Sequence, residues 1–250
     1  PSVNIENEGK GSTSAPPALI EGTAQLGPMS RDMKGSEIDA FVGKYGYKPT
    51  PIRTAVDALA VFVHKDNPIE SLTLDQVRQV FSVEGKRGLT WGDIGVTDPQ
   101  FADKPITLYG RNSASGTYGF FKEAALGGAD FRASVNEQAG SSSVVQGVAS
   151  DRTAMGYSGI GYKTADVRAV PIEGVTATAE NAYAGDYPLA RFLYVYINVP
   201  PGEAPGPLVR EFVKLIFSQQ GQQVVVKDGY FPVTAQIAQE DLEKIRAASN

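Results

Sequence analysis

At 250 residues, with 42% hydrophobic and 20% charged side chains, the chain can bury a substantial core as one large domain or two smaller lobes. Its net charge of −5 argues against the basic excess of a nucleic-acid footprint, and the absence of cysteine excludes disulfide scaffolds, thiol nucleophiles and cysteine-ligated zinc. No stretch approaches the roughly 20 apolar residues of a membrane span. Pro1-Ser2-Val3-Asn4 lacks the basic start of a signal peptide, so the expectation is a soluble chain from which any export signal has gone.

In chain order, Val3-Asn4-Ile5 reads as a short strand. The loop Gly9-Lys10-Gly11-Ser12-Thr13-Ser14 follows, then a helical turn or two over 15–22, with Pro16 and Pro17 near its start, where a missing N–H costs little. Such glycine-hydroxyl loops act as connectors or as anion cradles, and both readings stay open. Residues 24–31 form a short strand ending in a polar loop, and 35–45 a helix. Two stronger strands stand far apart, at 54–63 and 191–198, both rich in β-branched and aromatic residues. Between them come a helix at 74–81, a segment around Trp91, a strand-loop-helix unit at 109–126, a helix at 142–149 and Met155-Gly156-Tyr157. The alternation predicts an α/β protein with two lobes, in which the long strands cross between 1–66 plus 190–250 and an inserted 67–189. The helix-rich stretch 208–226 returns to the first lobe.

The unit at 109–126 is the most informative. Ile106-Thr107-Leu108-Tyr109 is β-prone, and 118–126 is helix-compatible and closes on Gly127-Gly128. Ser115, Gly116 and Thr117 then fall on a first helical turn. Backbone N–H groups lack intrahelical partners there, the helix dipole favours negative charge, and Gly116 lets an oxyanion approach the backbone. Arg111, four residues earlier, adds a planar fork of donors. The pattern is an oxyanion cradle, or else a Ser/Thr-rich cap beside a solvated arginine. His64, the single histidine, ends an apolar run and reads as structural, since a metal site or proton relay needs partners absent from its neighbourhood.

Taken in order, Gly9-Lys10-Gly11-Ser12, Gly27-Pro28-Met29-Ser30-Arg31, Asp57-Ala58-Leu59-Ala60-Val61, Leu72-Thr73 through Val80-Phe81-Ser82, Arg111 with Ser115-Gly116-Thr117, Met155-Gly156-Tyr157, and Gly221-Gln222 with Gly229-Tyr230-Phe231-Pro232 span nearly the whole chain. In this order they resemble the periplasmic phosphate-binding proteins of phosphate ABC transporters, members of the type 2 periplasmic binding fold. The resemblance implies two α/β lobes joined by two crossing hinge strands, with dehydrated inorganic phosphate held between them by hydroxyls, backbone amides and an arginine. It implies capture outside the inner membrane, delivery to the membrane permease of the transporter, a periplasmic or otherwise exported location, and a monomer. No cofactor, metal, nucleic acid or chemical step is implied. Carried onto this chain, Ser12 matches the hydroxyl of the first glycine loop, Ser30 falls at or beside the second loop's ligand position, and Arg111, Ser115, Gly116 and Thr117 match the second-lobe cradle.

Two departures set further expectations. The family usually begins with another strand and a glycine-rich loop carrying a threonine ligand, whereas this chain opens at what resembles the second strand, as a processed or shortened piece or with a site built without that loop. Several relatives place an acidic residue near the Ser30 position to accept the phosphate proton, and here Arg31 follows Ser30. Asp57, opening the first crossing strand, is the substitute acceptor or a strand-edge carboxylate. Arg31 contacts the anion or a carboxylate across the cleft, or is a surface arginine. Ser141 reaches the ligand from the start of the 142–149 helix, or only caps it. Tyr157 and Tyr162 read as packing residues. Other readings are a binder of sulfate or molybdate, a non-transport adhesion or sensing protein, and a phosphate-ester hydrolase with Ser115 as nucleophile, for which no activating cluster is found.

Overall fold

A computed structural model describes residues 3–246. Its architecture follows from the longest apolar run, which becomes a fifteen-residue strand, Thr50–His64, buried without interruption over 55–64. A strand covered on both faces loses the polar alternation of a half-exposed one, which is why the run is continuous.

The strands in chain order are β1 (Leu26–Met29), β2 (Thr50–His64), β3 (Thr107–Arg111), β4 (Val135–Gln138), β5 (Ala154–Gly159), β6 (Val167–Val170) and β7 (Ala190–Ile197). The helices are α1 (Ala15–Glu21), α2 (Gly35–Tyr45), α3 (Leu74–Phe81), α4 (Gly116–Ala124), α5 (Ser141–Ser150), α6 (Ala179–Ala184), α7 (Pro207–Phe217), α8 (Gln219–Lys227) and α9 (Ala235–Glu243). Strand β2 changes partners midway. Residues 50–58 pair antiparallel with β7, which pairs antiparallel with β1. Residues 59–63 pair antiparallel with β5, and 61–64 with β6, while β3 runs parallel to β4 and β5. One long strand thus belongs to two lobes. The second crossing is the segment entering β7, where the Leu59 N–H donates to Leu189 O at 2.9 Å and the Tyr187 hydroxyl to Leu59 O at 2.9 Å.

Each lobe has its own core. In the second, Phe81, Trp91, Phe121 and Tyr157 are fully buried, and the rings of Phe121 and Tyr157 stack with centroids 3.9 Å apart. In the first, Leu19, Met29 and Phe41 fill one face, while Ile52, Ile197, Val213 and Ile245 fill another. Helix α3 begins where Thr73 and Gln76 cap each other reciprocally, at 3.0 and 2.8 Å.

Helix α9 is tied to β2 by a buried carboxylate. Asp241 accepts from the Arg53 backbone N–H at 2.6 Å and from its guanidinium at 2.7 Å, and pairs with Lys244 at 2.6 Å. Burial alone would raise the pKa of Asp241, but the bonds from Arg53 and Lys244 prevail and hold it below its ordinary value. A depressed carboxylate stabilises the fold above its unfolded pKa and loses that contribution as pH falls through the folded one. Asp241→Asn is therefore expected to lower stability by about 1 to 2 kcal/mol at neutral pH, with the gap to the parent closing in acid unfolding series. Equal stability of the two at neutral pH would dismiss the tie.

Two expectations about the elements are corrected. Val3-Asn4-Ile5 forms no strand: Val3 and Ile5 are exposed, and no neighbouring strand takes up their backbone groups among the described residues. Helix α4 starts at Gly116, with Ser115 as its N-cap rather than within its first turn. The helix-rich stretch 208–226 is helical as expected, in two pieces that meet at Ser218, whose extended backbone ends α7 and whose hydroxyl accepts from the Gly221 N–H to cap α8.

Candidate functional site

Strand β3 is parallel to both neighbours, so its carboxyl end opens toward the other lobe, where ligands of open α/β sheets bind. Arg111 is its last residue, and a short turn brings the chain to Ser115, whose Oγ accepts from the Thr117 N–H at 3.1 Å. Helix α4 thereby aims its free N–H groups and positive dipole end into the cleft. From the first lobe, the Gly11–Ser12 loop closes onto this turn. The Thr13 N–H and hydroxyl both point to Ala114 O, at 3.4 and 3.2 Å. Gly11 needs its left-handed backbone, φ 98°, and a Cβ there would meet Ala114 O at 2.4 Å.

Between the lobes lies a polar cavity of about 70 Å³. That volume suits a small ion, being far below the roughly 300 Å³ at which pockets for drug-sized ligands begin. Ser30, Asp57, Arg191 and Leu193 line it from the first lobe; Arg111, Thr117, Ser141, Gly159 and Tyr162 line it from the second, with Tyr230 from the loop after α8.

The hydroxyls share one arrangement. Ser12 Oγ accepts from the Ser30 N–H at 2.9 Å, Ser141 Oγ from Arg111 Nη1 at 2.7 Å, and Thr117 Oγ1 from Arg191 Nη2 at 2.8 Å. Each hydroxyl that accepts in this way keeps its own hydrogen for another acceptor. The guanidinium of Arg111 also donates through Nη2 to Ala139 O at 2.9 Å, while its buried Nε has no partner. Burial presses the pKa of Arg111 below its ordinary value, as does the nearby positive charge of Arg191. Asp57 is 1% exposed and its Oδ2 accepts from Arg191 at 2.9 and 3.2 Å, yet its Oδ1 is buried without a partner. Two cations against one carboxylate leave the site net positive. A ligand that fits offers many acceptor oxygens and one proton, the proton to meet Oδ1.

The sequence matches the PBP superfamily domain over residues 1–220. Phosphate-binding protein PstS of Pseudomonas aeruginosa is 55% identical over 256 residues, covering 98% of this chain and 79% of that protein. The chain belongs to the phosphate-binding protein family. Among solved structures, a substrate-binding protein from Clostridium perfringens with bound phosphate superposes with a TM-score of 0.75 at 28% identity, covering 90% of this chain and 86% of the other. An ABC-type phosphate transport receptor from Vibrio cholerae shares the fold, with a TM-score of 0.73 at 23% identity over 90% of this chain and 86% of the other. The two-lobed α/β architecture is that of type 2 periplasmic binding proteins.

Within this phosphate-binding family member, five residues singled out in the sequence line the cavity: Ser30, Asp57, Arg111, Thr117 and Ser141. Ser12, Ser115 and Gly116 stand beside them in the interlobe contact and the helix cap. Arg31 does not join them. Its guanidinium makes a two-pronged pair with Glu37, at 2.7 and 2.8 Å, and donates to Asp32 O, so its donors serve the first-lobe wall. Tyr157 packs in the core, as expected, and its hydroxyl accepts from the Arg111 N–H at 3.2 Å. Tyr162, expected to pack, lines the cavity near the hydroxyl of Tyr230, 3.5 Å away. His64 lies at the far end of β2, 3.7 Å from Asp66. Arg191 was missed. Its only trace in the sequence is a lone arginine opening an apolar strand; its place directly opposite Asp57 comes from the β2–β7 register of the folded chain.

Proposed function

We propose that this chain is a solute-binding protein that captures inorganic phosphate, as monohydrogen phosphate, between its lobes and hands it to the membrane permease of an ABC transporter. The observation that carries this reading is the pairing of converging donors with one buried, unpartnered carboxylate oxygen, Asp57 Oδ1. At neutral pH phosphate has a hydrogen to give that oxygen, whereas sulfate presents only acceptors and is repelled. The phosphate bound by the C. perfringens protein and the name of the P. aeruginosa relative support the same ligand. The protein acts as a monomer, outside the inner membrane, by binding without chemistry and without nucleic acid. Ser115 Oγ serves as a helix cap, not a nucleophile.

The lobes that close on the anion are 1–66 with 190–250, and 67–189, with β2 shared across the hinge; the extreme ends of the first lie outside the described residues. Ser12, Ser30, Asp57, Arg111, Ser115, Gly116, Thr117 and Ser141 form the binding set.

Calorimetric titration with phosphate, arsenate, sulfate and molybdate, after stripping carried-over ligand, tests the reading. Phosphate and arsenate bind and sulfate and molybdate bind far more weakly; equal affinity for sulfate would refute a proton-accepting site. Asp57→Asn keeps an acceptor oxygen but loses the charge that opposes sulfate, so the phosphate-to-sulfate ratio is expected to fall about tenfold. An unchanged ratio would make Asp57 a structural carboxylate.

A further inference from the structure

We infer that Arg191 is a positioning residue for phosphate selectivity: it clamps Oδ2 of Asp57 and so holds Oδ1 in one place as the acceptor for a protonated oxyanion. The inference rests on the phosphate-binding reading and separates two arginines that line the same cavity.

An arginine carries five N–H donors. In Arg191, Nε and Nη2 both donate to Asp57 Oδ2, Nη2 also donates to Thr117 Oγ1, and Nη1 reaches Gly116 O at 3.4 Å, leaving one N–H of the five. Arg111 is the reverse case. Only Nη1 and Nη2 make protein bonds, one each, and Nε is unpartnered, so most of its fork is available to a ligand. Arg111 is built to bind and Arg191 to hold.

What Arg191 holds is defined on all sides. Its guanidinium lies over the Phe120 ring, 5.1 Å from the centroid, and its side chain is nearly as buried as that of Asp57. Asp57 and Arg191 are direct partners across the β2–β7 ladder, so the backbone fixes their separation. Gly159 closes the other side, where a Cβ would stand 3.0 Å from Oδ1. With both bonds from Arg191 on Oδ2, the carboxylate cannot rotate to exchange its oxygens without breaking them. Because Nη2 also donates to Thr117 Oγ1, the same clamp directs the threonine hydrogen away from Arg191, toward the cavity.

The alternative is that Arg191 only balances charge. Arg191→Lys separates the two, since an ammonium keeps the charge but replaces the planar fork by a compact, rotating donor. Phosphate titrations and sulfate competition on Arg191→Lys are expected to show the phosphate-to-sulfate affinity ratio reduced about tenfold. Asp57→Asn added to Arg191→Lys reduces it no further, because both changes act through Oδ1. Phe120→Leu removes the ring under the guanidinium without touching the cavity, and is expected to reduce the ratio about twofold to threefold. That second variant keeps the test decisive if Arg191→Lys fails to melt cooperatively. A parent-like ratio in Arg191→Lys while Asp57→Asn lowers it, or in Phe120→Leu where Arg191→Lys does not fold, overturns the positioning role and leaves the phosphate reading standing. Failure of the parent to bind phosphate overturns both.

Discussion

Gly116→Ala should weaken phosphate binding on the order of a hundredfold, equivalent to about 3 kcal/mol against the closed form. The added methyl would stand 2.3 Å from Ser12 Oγ, 2.9 Å from Ser12 Cβ and 3.1 Å from Ser30 Cβ. Ser12 has no long side chain to swing aside, and its Oγ is already engaged by the Ser30 N–H. The clash is between lobes, not within one. Gly116 is absent from the glycines with positive φ, and alanine is the better helix former, so the second lobe itself should fold at least as well. The expected outcome is therefore a protein with a parent-like or higher melting temperature, a weak phosphate titration, and a larger radius of gyration than the parent in saturating phosphate. Parent-like affinity would mean that the Ser12 loop need not close on α4 for the anion to be held.

Arg111→Ala should cost about 2 to 3 kcal/mol of binding free energy, the value of losing charge-assisted bonds to an anion in a buried site. Truncation also frees Ser141 Oγ and Ala139 O from their donors, at 2.7 and 2.9 Å, so a stability loss of about 1 kcal/mol accompanies it. Arg111→Lys restores the charge without the Nε donor and should recover only part of the affinity. If titrations of Arg111→Ala match those of the parent, the unpartnered Nε does not face the ligand.

The parts of this molecule that were legible in its sequence are those that local chemistry specifies. Helix α2 could be bounded because a single apolar-periodic segment ends at Gly46, which adopts the left-handed cap at φ 80°, and α3 because Thr73 and Gln76 form a capping box. The cradle was legible because Arg111 and Ser115 to Thr117 are contiguous with a strand and a helix start. Strands β4 and β6 were not, since each is only four residues long and mixes polar and apolar positions, so their identity comes from partners elsewhere in the chain. Helix α6 is six residues long and buries none of them, so it went unread for the same reason, and α9 went unread although Thr234 caps its start.

Arg31 and Arg191 show the same limit within the site. Both are arginines near polar loops or strand ends, and only the folded chain reveals that Glu37 takes the first while Asp57 takes the second. Arg31 sits one residue beyond a true lining residue, Ser30, which made it a plausible ligand by adjacency. Arg191 stands 134 residues from its partner, a distance that no local pattern bridges. Tyr162 and Tyr230 enter the cavity from a short 3-10 turn and from a loop, where side-chain direction depends on tertiary packing.

A high-resolution crystal structure of the phosphate complex would show whether the anion sits against Asp57. The expected result is an anion in the interlobe cavity with one oxygen within hydrogen-bonding distance of Asp57 Oδ1, and others near Arg111 Nε, Ser141 Oγ and the first turn of α4. An anion bound elsewhere, or one whose oxygens all avoid Asp57 Oδ1, would contradict it.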